Sequence, residues 1–195
     1  TRHEDVKSVL SDHQRFSNER PPGFAVQGAP QPTEEEQATA RAGNLLGLDP
    51  PEHSRLRRML TPEFTIRRMK RLEPRIVEIV DAQLDAMENA GPPVDLVENF
   101  ALPIPSLVIC ELLGVPYADR ETFQVNTPKF LVKDQSLDEK MAAYGALTTY
   151  LAELVALKRA TPGEDILSDL ARDDDLTVEE LIGVAFLLLL AGHET

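Results

Sequence analysis

Apolar positions along this chain recur at helical spacing, and runs that alternate apolar with polar are scarce. Leu72, Ile76, Ile79, Val80, Leu84 and Met87 fall on one face of a helix, and Met141, Tyr144, Leu147, Leu151, Leu154 and Val155 on one face of another. Asn99 to Leu113 is a further apolar stretch, opened by Pro103 and Pro105 and closed by Gly114-Val115-Pro116. Shorter helices are predicted over Glu4 to Leu10 and Glu164 to Ala171. Helix starts are written as capping boxes at Asp49-Pro50-Pro51-Glu52, Ser136-Leu137-Asp138-Glu139 and Thr177-Val178-Glu179-Glu180. In the first of these, Asp49 is placed to accept the free N–H groups of the first turn, with Pro50 at the first helical position. Leu181 to Leu190 is a nearly unbroken apolar run that leads into Ala191-Gly192-His193-Glu194-Thr195.

Pro21 to Asn44 breaks the pattern. It carries Pro21, Pro22, Gly23, Gly28, Pro30, Pro32 and Gly43, with one or two helical turns expected over Glu34 to Ala42. A loop of this length inside a compact domain is usually functional or disordered. No internal repeat or internal boundary is evident, so residues 1–195 read as a single, mainly α, partial domain. A helix as apolar as the last one, with no C-cap or polar tail after it, reads as the end of a truncated chain.

Composition narrows this little. Hydrophobic residues make up 42%, aromatics 5%, and there is no Trp. The longest apolar run is shorter than the roughly 20 residues a bilayer-spanning helix takes. No basic-then-apolar segment opens the chain, and a cytoplasmic protein without a membrane anchor is expected. The single cysteine, Cys110, excludes a disulfide framework and a multi-cysteine metal site, and reads as a small buried apolar residue. A net charge of -13 argues against nucleic-acid binding. The charge is uneven: Arg55, Arg57, Arg58, Arg67, Arg68, Lys70, Arg71 and Arg75 form a basic stripe with only Glu63 and Glu73 among them. Such a stripe either steers an acidic partner or is a solvated helix face balanced by acidic neighbours.

Two groups of residues have the chemistry of a site. His53 and Arg57 stand four apart, one turn into a helix, so both side chains share a face and can grip a carboxylate or phosphate. A surface helix with incidental charges has the same spacing. Gly192 sits where a helix kinks or where a flat ligand nears the backbone, and Glu194 beside so much apolar surface is paired, solvated or working. Thr195 adds a hydroxyl that both donates and accepts, which suits a proton relay. The alternative is a helix surfacing from the core, with Glu194 simply reaching solvent.

These segments, in this order, resemble the soluble bacterial cytochromes P450. Asp49 to Arg58, followed by Phe64-Thr65, is similar to the family's C helix; Ile104 to Pro116 to the E helix; Ala191 to Thr195 to the oxygen-binding turn of the I helix; and Glu4-Asp5-Val6 to Phe16-Ser17 to the B helix and the turn after it. The resemblance implies a P450 fold from the B helix to the middle of the I helix and a haem b (iron protoporphyrin IX) cofactor. His53 and Arg57 are then expected at the haem propionates, with Leu46, Ala191 and Gly192 also against the cofactor and Gly192 leaving room for O2. Glu194 and Thr195 become the acid–alcohol pair that delivers protons. Phe24, Val26, Phe186, Leu187 and Leu190 are expected to line the substrate pocket. The loop over Pro21 to Asn44 matches the B–C region, Pro128 to Ser136 the F–G lid, and the stripe from Arg55 to Arg75 the docking face for a ferredoxin or flavodoxin.

The implied reaction is insertion of one oxygen atom of O2 into a small apolar molecule, by hydroxylation or epoxidation, in secondary metabolism or xenobiotic oxidation. A macrolide, terpenoid or polyketide is the kind of substrate implied. The axial cysteine loop and the later Glu-x-x-Arg pair are not in this sequence, nor are the usual strands before the B helix, so these 195 residues alone are not expected to catalyse. Two other readings stand beside this one. His193-Glu194 opens an H-E-x-x-H zinc-hydrolase pattern whose second His falls beyond Thr195. A non-catalytic helical module would use the basic stripe for docking.

Overall fold

The computed structural model describes residues 2–18, 33–120 and 136–194. Phe24, Val26, Thr195, residues 21–32 of the expected B–C region and residues 128–135 of the expected F–G lid lie outside the described residues, as do the side chains of His193 and Glu194. Among the described residues the regular structure is helical, with no strand. The α-helices are α1 (His3–Ser11), α2 (Glu34–Arg41), α3 (Glu52–Leu60), α4 (Ile66–Ala90), α5 (Pro103–Leu113), α6 (Leu137–Ala160), α7 (Ile166–Ala171) and α8 (Val178–Glu194). Short 3-10 turns at Leu45–Gly47, Thr61–Phe64 and Tyr117–Asp119 and a π turn at Val97–Ala101 link them.

The core gathers around α8, which packs against α5, α6 and α7 and touches α2. Leu181, Val184, Ala185 and Leu189 of α8 meet Ile109, Cys110 and Leu113 of α5 and Leu151, Leu154 and Val155 of α6, all buried. On its other side α5 packs on α4. The predicted face of α6 is buried or half-buried except at Met141, whereas on α4 only Ile79 is buried, its neighbours on that face are half-buried and Leu84 is exposed. Gly114 ends α5 as expected, in the left-handed conformation (φ 63°) that a glycine adopts without a Cβ penalty.

The capping boxes at Ser136 and Thr177 form. Glu139 N bonds to Ser136 Oγ at 3.3 Å while Ser136 N bonds to Glu139 Oε2 at 2.9 Å, and Thr177 and Glu180 make the same reciprocal pair. The box at Asp49 does not. Helix α3 begins at Glu52 with Pro51 as its cap residue and no side-chain cap bond. Two prolines, neither with an N–H, separate Asp49 from Glu52, and His53 N bonds to the Asp49 carbonyl at 3.1 Å. The Asp49 carboxylate accepts from Ser17 Oγ and Asn18 N, tying the segment after α1 to the entry of α3. Helix α7 also starts later than expected, because Asp165 caps it, accepting from Ser168 N at 2.8 Å.

The Asp165 carboxylate belongs to a buried ionic knot. Its Oδ2 pairs with Lys158 Nζ at 2.7 Å and accepts from Ser168 Oγ at 2.8 Å, and that hydroxyl accepts from Gly163 N. The pair is about nine-tenths buried and packs against Gly114, where any Cβ would strike both side chains. The end of α6, the cap of α7 and the end of α5 are thereby held at one point.

Candidate active site

Helix α3 is seated by Leu56 and Leu60, which are buried in the core. At 100° per residue, Arg55 lies to one side of that buried edge and His53 and Arg57 to the other. Arg55 pairs with Glu180 in the first turn of α8 and donates to Asp175 O at 3.2 Å. His53 is half-buried and Arg57 exposed, and neither side chain has a hydrogen-bond or ion-pair partner among the described residues. The two donors expected to grip an anion are therefore on one face, held by a fastened helix, with their donor capacity unspent. Leu46 is 73% exposed next to the buried Leu45 that pins its turn. An exposed apolar side chain and two unspent cationic donors within residues 46–57 have the chemistry that a flat apolar group with an acidic edge, such as haem, would take.

Helix α8 carries the rest. Phe186 is half-buried, with its ring edge-on to Tyr144 of α6 at 5.1 Å between centroids. Leu187 and Leu190 are also half-buried, and Ala191 is exposed. Helical register puts Gly183, Leu187, Leu190 and position 194 along one stripe, opposite the core-facing edge of Leu181, Val184 and Ala185. Gly192 is on the core-facing edge. A Cβ there would sit 2.7 Å from Ile109 Cγ1, so the close approach that this glycine permits is that of α5. Helix packing thus gives Gly192 one reason of its own to be a glycine, and Ala191 beside it is exposed.

Cys110 is fully buried, and burial pushes its thiol up to about 12, so it is an inert core residue and no source of thiolate. No group of three or more His, Cys, Asp or Glu among the described residues is placed to hold a metal ion. The basic stripe divides in two. Arg55, Arg68 and Arg75 are spent on Glu180, on Glu63 and Asp169, and on Glu78 and Glu111. Arg57, Arg58, Arg67, Lys70 and Arg71 are exposed and have no ion pair among the described residues. No helix among the described residues is long and apolar enough to cross a membrane.

The sequence reading missed how α3 and α8 are held together. Gly43 and Gly183 bring the segment after α2 backbone-to-backbone onto α8. The one available signal was Gly183 itself, a glycine inside a helical run with no local reason to be there.

No family model matches the chain. Individual proteins do. It is 47% identical over 196 residues to cytochrome P450 FAS1 of Rhodococcoides fascians, covering all of this chain and 49% of that protein. It is likewise 47% identical over 199 residues to nocardicin C N-oxygenase of Nocardia uniformis subsp. tsuyamanensis, covering all of this chain and 48% of that one. Its fold superposes on P450 StaH from glycopeptide antibiotic A47934 biosynthesis with a TM-score of 0.83 at 39% identity, over 99% of this chain and 50% of that one. The chain thus spans about half the length of the curated relatives it matches. On this likeness in sequence and fold, the chain belongs to the bacterial cytochromes P450 and carries the N-terminal portion of their fold.

Proposed function

We propose that the full-length protein is a haem-thiolate monooxygenase that oxidises a medium-to-large, mostly apolar natural product. The observation that supports this most is the match of the whole chain, at 47% identity, to cytochrome P450 FAS1 and to nocardicin C N-oxygenase. The zinc-hydrolase and docking-module readings account for none of that match.

When bound, haem b supplies the activation of O2; its thiolate ligand would come from residues outside this sequence. Within the chain, His53 and Arg57 hold the propionates through charge-assisted bonds stronger than neutral ones. Leu46 and Ala191 cover its apolar surface. Leu187 and Leu190, with Phe186 braced by Tyr144, exclude water and contact the substrate, joined by Phe24 and Val26. Glu194 holds a proton near Thr195, whose hydroxyl passes it on while its own lone pairs accept the next. The cations that the propionates leave free, Arg58, Arg67, Lys70 and Arg71, attract an acidic ferredoxin or flavodoxin. A pyridine haemochrome assay on the purified full-length protein tests the proposal: one haem b per chain is expected, and a protein that stays haem-free when produced with ample haem precursor contradicts it.

A further inference from the structure

The segment that leads from α2 into α3 crosses α8 with no side chain between the two backbones. At Gly43 (φ 72°) a Cβ would lie 2.7 Å from Val184 N and 2.9 Å from Gly183 Cα, and would strike the Glu180 carbonyl as well. At Gly183 a Cβ would strike the Ala42 carbonyl oxygen and lie 3.0 Å from Gly43 Cα. Neither position admits a side chain unless the backbone moves, and the φ at Gly43 excludes one on conformational grounds too. Leu45, two residues after Gly43, is buried in the core. Arg55, near the start of α3, pairs with Glu180, one turn before Gly183. Two fastenings three residues apart on α8 therefore hold residues 42–55.

The position of this crossing matters. Gly183 shares its stripe with Leu187 and Leu190, one and two turns further on, the positions proposed to meet the substrate. The segment lies against that stripe at Gly183, and the turn at Leu45–Gly47 that follows leaves Leu46 exposed. We infer that Gly43 and Gly183, braced by Arg55–Glu180, form a backbone latch that fixes the segment before α3 on α8 and so sets the size of ligand the pocket admits. These are positioning residues, and the inference rests on the P450 reading for its ligand. A contact made by backbone alone has one optimal spacing, so a single methyl group at position 183 must lift the segment off the stripe. The far end of the stripe, beyond Leu190, is unaffected.

The test uses Gly183→Ala in the full-length protein. Amide hydrogen exchange at residues 41–47 reads the latch with or without haem: exchange at least about tenfold faster, with α4 unchanged, is expected. Unchanged exchange overturns the latch. In the haem-loaded protein, imidazole and 4-phenylimidazole are titrated by their absorption shifts. The dissociation constant of 4-phenylimidazole should change by about tenfold or more while that of imidazole stays within about twofold. If both stay fixed, or both change alike, the latch does not set ligand size. If Gly183→Ala does not fold, Glu180→Gln keeps the capping box but weakens the brace, and the same two titrations should separate by about threefold. A wild-type protein without haem would defeat the P450 reading alone, since the exchange result stands independently.

Discussion

At the scale of single residues, the clearest energetic statement concerns Lys158 and Asp165. Removing the carboxylate strands a buried ammonium, so Asp165→Ala is expected to cost about 3–5 kcal/mol, read from urea unfolding. A loss under about 1 kcal/mol would mean that water already reaches the pair. Sequence spacing did not reveal this pair, because its partners meet across the turn between two helices and no periodicity links them. His53 and Arg57 were legible, since two donors four apart on a helix share a face by geometry alone. Asp49 shows the limit of such reading: the motif was correct in letters, but two prolines kept its carboxylate off the helix and left it to Ser17 and Asn18. Arg57→Ala should lower haem occupancy of the full-length protein, because a propionate loses its charged partner; unchanged occupancy would place Arg57 away from the cofactor. Thr195→Ala should release peroxide and consume reductant without product, and tight coupling in that variant would remove its hydroxyl from the relay.

At the scale of elements, α5 and α8 meet through Gly192 and Ile109. Gly192→Ala overpacks that crossing and should cost about 1–3 kcal/mol. Ile109→Val makes space and should recover part of it, so a double-mutant cycle should show coupling of about 0.5 kcal/mol or more; strict additivity would contradict the contact. Glu111 stitches α4, α5 and the turn after it through Arg75 and Arg120, each at 2.7 Å. Burial alone would raise the Glu111 carboxyl, but hydrogen bonds from Arg120 and Arg75 outweigh it and hold the carboxyl below its ordinary value of 4.5. A lowered folded value means this contribution is complete above 4.5 and is lost as pH falls through the folded value. Glu111→Gln should therefore flatten the acid limb of the stability–pH curve and leave its slope above pH 6 alone, as followed by denaturant midpoints. Helix positions, and two of three capping boxes, could be read from the sequence because they depend on neighbours a few residues away. Which faces of α8 meet α5 and residues 42–43 could not, because glycine contacts are made by backbone and leave no hydrophobic signature.

At the scale of the molecule, the described half of the fold keeps a well-packed core around α8 and a surface with much apolar area. Helix α1 buries none of its residues, and Leu46, Ile66, Leu96, Val97 and Tyr117 are largely exposed. In the full-length relatives twice as much chain is available to cover such faces. The helical class and the family were legible because four segments carry them in order, while the substrate was not, because the residues that shape a pocket are brought together only by tertiary packing. The four cations left free, Arg58, Arg67, Lys70 and Arg71, sit on a chain of net charge -13, so reduction by an acidic carrier should slow as salt rises from about 50 to 300 mM, where screening shortens to within a side chain's length. A salt-independent rate would place docking elsewhere.

In the proposed enzyme, haem is held between α3 and the stripe of α8 and ligated by thiolate. The reduced full-length protein under carbon monoxide tests it directly. The strongly red-shifted absorption band of thiolate-ligated haem is expected; a spectrum with only the band of histidine-ligated haem, or no haem band at all, would rule that ligation out.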